Sequence, residues 1–234
     1  MLARRLYSGR TLGKECSRRQ AKVRRIYILC EGQTEETFVN EVLSSHFYNK
    51  KILLIPLTLR GHVSFSRIWS DAQKVLRKEN EAYCTTFIDF YGLPSDFPGK
   101  ISEGSIEEKS TAVCKEMLSG FIKNVGENTS RRFLPYIQMH EFEALLFSDP
   151  TRFAIGIGHP DKANRIAAVM KNYTSPEEIN DNVLTAPSKR VKQIILHYDK
   201  PLYGSLAAIE IGLPRIREKC RLFDAWIQKL EELE

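Results

Sequence analysis

The chain has 234 residues, 42% of them hydrophobic and 27% charged, proportions of a globular protein with its own core, which exclude a disordered polymer, a collagen-like repeat and a disulfide miniprotein. Its longest apolar runs, residues 26–30 and 52–59, fall far short of the roughly 18 residues a membrane helix needs, and its five cysteines include no CxxC pair, which argues against a zinc ribbon or a disulfide framework. The net charge of +6 is local: residues 1–25 hold nine Lys or Arg against Glu15, and the remaining 209 hold 26 basic and 28 acidic side chains.

That basic leader, residues 1–24, has no apolar periodicity and one aromatic, Tyr7. It reads as a disordered extension, as a phosphate-binding arm or, being Arg-rich and acid-poor, as a transit peptide. No apolar h-region follows the basic start, so a secretory signal is not expected and a cytoplasmic location is.

From residue 25 the folded part begins. Residues 26–30 read as a short buried strand, followed by Thr34 as a helix cap, acids at Glu35 and Glu36 where the helix dipole favours them, and Phe38, Val39, Val42, Leu43 and Phe47 at helical spacing. A second strand is expected over 52–58, ended by Gly61, then an amphipathic helix over 65–76 and a third strand over 83–89. A loop rich in Gly and Pro (91–104), a helix over 106–124, a fourth strand over 133–140 and a short helix from Glu141 complete the alternation. From 149 onward strands cease, and helices are expected near 161–171, 188–198, 204–211 and 214–232. The reading is an α/β fold: a mostly parallel sheet of about four strands flanked by helices in a core of residues 25–148, with a helical C-terminal cap of residues 149–234.

In an open parallel sheet, ligands bind outside the carboxyl ends of the strands. Three of the four expected strand ends carry an acid: Glu31, Asp89 and Glu141, with Glu35 and Glu143 a few residues beyond two of them. Carboxylates converging in one cleft repel unless protonated or neutralised by a cation, and oxygen-only ligands suit Mg²⁺ or Mn²⁺. Each acid also has a plainer reading. Glu35, Glu36, Glu141 and Glu143 equally serve as first-turn acids, and Asp89 as a turn cap. No histidine pair, P-loop, GxGxxG turn or GxSxG elbow occurs.

The run Glu31-Gly32-Gln33-Thr34-Glu35 resembles the opening of Toprim domains. The segments Phe87-Ile88-Asp89-Phe90-Tyr91-Gly92-Leu93-Pro94, Pro135 to Phe147, Thr185 to Arg190 and Ile211 to Arg217 resemble domain-of-unknown-function family 4276, from about residue 25 to the C-terminus. That family is similar to the Toprim half of the overcoming-lysogenization-defect (OLD) nucleases and to the Toprim effector of PARIS anti-phage systems, which works beside an ABC-type ATPase and cleaves transfer RNA. The resemblance implies a Rossmannoid, Toprim-like fold and a Mg²⁺- or Mn²⁺-dependent nuclease acting on RNA or DNA, with an ABC-type ATPase partner and room for homo-oligomers, away from any membrane. It makes Glu31 the catalytic glutamate, Glu35 its partner and Asp89 the first acid of a DxD pair. The second position is Tyr91, so a further metal ligand is expected from Glu141 or Glu143. Lys189 becomes a phosphate or leaving-group contact and Arg190 a nucleic-acid contact. The rival expectation is a non-catalytic Toprim-like module that binds and regulates an ATPase.

Overall fold

The computed structural model describes residues 23–59, 63–179 and 185–233; the leader up to residue 22 and the Gly61 break lie outside them. Strand β1 (Arg24–Cys30) lies between β2 (Ile52–Thr58) and β3 (Tyr83–Asp89), both parallel to it. Two short pieces, β4 (Phe133–Leu134) and β5 (Ile137–Gln138), continue the sheet on the far side of β3, giving the order β2-β1-β3-β4 with β5 also on β3. The expected single fourth strand is therefore split. Pro135 interrupts it, and Thr86 bridges the gap: its hydroxyl donates to the Tyr136 carbonyl (2.6 Å) and accepts from the Tyr136 N–H (2.9 Å). The register on β3 is the same on both sides of the break.

Side chains alternate across β1, so Ile26, Ile28 and Cys30 point to one face and Leu29 to the other. On the first face lies α1 (Gln33–Phe38), which passes through a wide turn at Val39–Leu43 into α2 (Ser44–Tyr48). Its cap is Gly32 rather than Thr34: the Gly32 N–H donates to Glu35 Oε2 (2.9 Å), and Thr34 is buried inside the first turn. On the second face lie α3 (Phe65–Lys78) and α4 (Ile106–Val125), followed by the short α5 (Glu127–Ser130).

Beyond β5 the chain makes a buried 3₁₀ segment, Phe142–Ser148, then α6 (Pro150–Gly156), α7 (Ala163–Val169) and α8 (Pro187–Ile194). Next come a wide turn at Lys200–Gly204, α9 (Ser205–Ile211), α10 (Leu213–Lys219) and α11 (Arg221–Glu231). Helix α8 stops short of the expected residue 198, and the chain reverses at His197, which takes a positive φ of 60°. The expected helix over 214–232 is two helices. The buried Glu177 accepts hydrogen bonds from the Leu222 and Phe223 N–H groups, both 2.9 Å, and so starts α11 anew.

These C-terminal helices share one hydrophobic core with the first face of the sheet, since Phe223, Trp226, Ile227 and Leu230 pack among Phe38, Phe87 and Tyr136. Trp226 stacks on Tyr136 (4.5 Å, 8°) and its indole N–H donates to Thr85 Oγ1 (2.9 Å). Among the described residues no helix is long and apolar enough to cross a membrane, and the described cysteines are free.

Candidate functional site

The strand order reverses between β1 and β3: the chain leaves β1 for β2 on one side and later returns to β3 on the other. Diverging crossovers leave a crevice at the carboxyl ends of these two neighbours, where ligands of open α/β sheets bind. Glu31 and Asp89 are the residues at that point. The Glu31 N–H donates to the Phe87 carbonyl (3.3 Å), and its Oε2 accepts from the Asp89 N–H (3.0 Å), so the carboxylate of one strand end is fixed by the backbone of the other. Gly92 lies directly over this carboxylate; a Cβ there would stand 2.6 Å from Glu31 Oε2 and 2.8 Å from Oε1. Only a residue without a side chain leaves that room.

The other acids arrive from two further elements. Glu35, in the first turn of α1, accepts from Gly32 with Oε2 and turns Oε1 inward. Glu141 accepts from the Ser188 N–H (2.8 Å) at the start of α8, and Glu143 sits on the 3₁₀ segment, 1% exposed. At the centre lies a residue the sequence reading did not single out. Lys200 Nζ donates to Asp89 Oδ2 (3.3 Å) and lies 3.4 Å from Glu35 Oε1 and 3.3 Å from Glu143 Oε2, ion pairs without hydrogen-bond alignment.

Three carboxylates, Glu35, Asp89 and Glu143, thus surround one ammonium, and Glu31 and Glu141 stand toward the cleft. Burial raises the Asp89 carboxyl well above its ordinary range; Lys200 opposes this, and Glu35, Glu31 and Glu143 reinforce it. Burial likewise raises Glu31, against the Asp89 N–H, and Glu143, against Lys200. For Lys200, burial favours the neutral amine, but Asp89, Glu143, Glu35 and Glu31 together outweigh it and hold the ammonium charged.

Glu31, Asp89 and Glu141 open onto a cleft of about 760 Å³ whose rim carries Lys100, Lys109 and Lys189 as well as Lys200. Tyr91 and His140 line it with their rings 5.2 Å apart. Lys100 is anchored by its ammonium to the Leu93 carbonyl and lies over the Phe90 ring. Glu35 and Glu143 stand behind Lys200 and do not line the cleft. Arg190 is not brought to the cleft: its guanidinium donates to the Thr185 carbonyl and the Tyr173 hydroxyl, both 2.7 Å, and covers the Tyr173 ring. A larger hollow of about 1000 Å³ lies at the opposite end of β1. Its Arg132 is already engaged with the carbonyls of Leu76, Glu79 and Ala82, and no acid cluster converges there.

As the side chains stand, no three His, Cys, Asp or Glu residues among the described residues are grouped so as to hold a metal ion; the ammonium of Lys200 separates the inner acids. The outer donors nevertheless match a hard divalent cation in chemistry. They are carboxylate oxygens only, their negative charge exceeds the one ammonium, and Asp89, 4% exposed, keeps Oδ1 buried with no partner. A family model described as a domain of unknown function, DUF4276, matches residues 30–231. No curated protein and no solved structure matches the chain.

Proposed function

The chain belongs to the DUF4276 family, and from its cleft we propose that it is a divalent-metal-dependent nuclease of the Toprim type, cleaving phosphodiester bonds in RNA or DNA. The observation that carries this reading is the meeting of Glu31, Asp89 and Glu141 at the β1/β3 crevice, with a buried, unpartnered Asp89 oxygen, under a rim of lysines. Glu31, Asp89 and Glu141 would hold Mg²⁺ or Mn²⁺, which supplies Lewis-acid polarisation of a phosphoryl oxygen and of water when bound. Lys100, Lys109 and Lys189 would seat the flanking phosphates as point charges. The Asp89 N–H and Gly92 fix the Glu31 carboxylate, so the reacting groups are oriented before substrate arrives. The body of the protein, outside residues 1–25, carries a slight acidic excess, which fits an enzyme whose grip on nucleic acid is supplemented by the basic leader or by a partner. An ABC-type ATPase is the partner that the Toprim resemblance brings to this proposal, with a cytoplasmic setting and a role in anti-phage defence.

Two observations favour a second reading, a non-catalytic module that binds and regulates its partner. Lys200 itself neutralises part of the acid cluster, and Tyr91 stands where a second Asp would complete a DxD pair. Incubation of the full chain with Mg²⁺ or Mn²⁺ and labelled RNA or DNA, with EDTA as control, separates the two. Metal-dependent cleavage is expected. Intact polymer, tested both with and without the partner ATPase, would leave the binding module as the correct reading.

A further inference from the structure

The acid cluster has an inner and an outer half, and the boundary between them is Asp89. On the inner side, Lys200 Nζ lies within 3.3–3.4 Å of Asp89 Oδ2, Glu143 Oε2 and Glu35 Oε1. Glu35 and Glu143 are 2% and 1% exposed. On the outer side Glu31 and Glu141 face the cleft, and Asp89 Oδ1 is buried without a partner.

The ammonium is placed by the scaffold. Asp199 Oδ1 accepts from the Leu202 N–H (2.9 Å) and Ser205 Oγ donates to the Pro201 carbonyl (2.7 Å), which together fix the wide turn that carries Lys200. That turn is pressed against α1, since a Cβ on Gly204 would stand 3.3 Å from Thr34 Cγ2 and 3.4 Å from Phe142 Cε1. The Lys200 ammonium rests 5.8 Å from the centre of the Phe142 ring. A second divalent cation beside the first would need the three oxygens that Lys200 already faces, and would be repelled by its charge. Two residues past Asp89 the chain offers Tyr91, so β3 contributes one carboxylate and not two.

We propose that Lys200 is a tethered cation that fills the inner half of the cluster in place of a second metal ion, so that the site takes one divalent cation, held from the outer half by Glu31, Asp89 and Glu141. This rests on the metal-dependent reading given above. Lys200 is on this view a positioning residue: it keeps Glu35, Glu143 and Asp89 assembled when no metal is bound and sets the metal count.

The test is Mn²⁺ titration of the full chain, read by isothermal calorimetry and by the electron paramagnetic resonance spectrum of the bound ion. The wild type should bind one Mn²⁺ per chain with the six-line spectrum of an isolated ion. Lys200→Met should bind two, with spin–spin broadening, and should gain more melting temperature from Mn²⁺ than the wild type does. Lys200→Arg, which keeps the charge, should return to one. Because Lys200→Met leaves buried acids without a counter-ion, the charge-balanced Lys200→Met/Glu143→Gln chain serves as a second variant, expected to take the second ion more weakly. Two coupled ions in the wild type, or a single ion at wild-type affinity in both Met variants, overturns the tethered cation while leaving the nuclease reading standing. No Mn²⁺ on the wild type at all overturns both.

Discussion

Gly92→Ala tests whether the site depends on where the Glu31 carboxylate sits. The added methyl would stand 2.6 Å from Oε2, 2.8 Å from Oε1 and 2.9 Å from Cδ of Glu31. An ordinary contact requires the carboxylate to retreat by about 0.8 Å, which a side-chain terminus can do. The retreat breaks its bond from the Asp89 N–H, costing about 1 kcal/mol. Replacing Gly by Ala restricts the unfolded chain, which returns about 0.4–1 kcal/mol where the backbone accepts alanine. Among the described residues Gly92 is not one of the glycines with positive φ, so it does. The net change in stability is then at most about 1 kcal/mol, a shift of about 2–4 °C in Tm for a chain of this size. Misplacing a reacting group by this distance costs about 10²-fold in rate. Thermal melting by circular dichroism and initial cleavage rates in Mg²⁺ on the same preparation provide the two numbers. A folded Gly92→Ala chain that cleaves at the wild-type rate would refute the role assigned to the Glu31 position. A fall in Tm well beyond 10 °C would show instead that the backbone needs glycine there.

The remaining expectations can be checked with the same preparations. Glu31→Gln and Asp89→Asn should each abolish cleavage, with the double variant scarcely worse than either single one because groups acting as a unit are not additive. In EDTA the Asp89→Asn chain should melt at or above the wild-type temperature, since it relieves repulsion among buried carboxylates. The carboxyls of Glu31, Asp89 and Glu143 are held above their ordinary range, so the folded state keeps protons that the unfolded chain loses at about pH 4. That stabilisation is complete at low pH and is lost as pH rises through the folded values; a pH series of melts in EDTA from 5 to 8 should therefore decline less steeply for Asp89→Asn than for wild type, and parallel curves would contradict the assignment. Glu177→Ala leaves the Leu222 and Phe223 N–H groups without their acceptor and should cost about 2–3 kcal/mol, lowering Tm by about 5–10 °C, while the cleavage rate at low temperature stays unchanged; a wild-type Tm would show that the break between α10 and α11 has another cause.

The outer acids were legible in the sequence and the inner cation was not, for reasons of locality. Short apolar and β-branched runs ending at Glu31 and Asp89 identify parallel strand ends, and parallel strands place their carboxyl ends together. Nothing local distinguishes Lys200. It precedes a proline in a turn and reads like any solvated lysine, and its three partners come from α1, β3 and the 3₁₀ segment. Lysines are seldom buried unless paired, and the pairing exists only once those elements have met. Arg190 shows the converse. It adjoins Lys189 in sequence, but successive helix residues point about 100° apart, so Lys189 lines the cleft and Arg190 turns to Tyr173. The split of the fourth strand had its signal in Pro135. The break at Cys220 had none, because apolar spacing continues through it and the new start is made by Glu177, distant in sequence.

The expected boundary at residue 149 separates a core from a helical cap in sequence, but the site does not respect it. Ser188 and Lys200 both lie beyond that boundary, and they supply the N–H that holds Glu141 and the ammonium that holds Asp89, Glu35 and Glu143. Trp226, from the last helix, stacks on Tyr136 next to the strand break and bonds Thr85 on the central β3. Buried carboxylates in this number destabilise a sheet end unless something opposes their charge. In this fold that opposition comes from the C-terminal segment, so the helices that complete the hydrophobic core also make the acid cluster tolerable. The two halves of the chain are joined through the chemistry of the site as much as through packing.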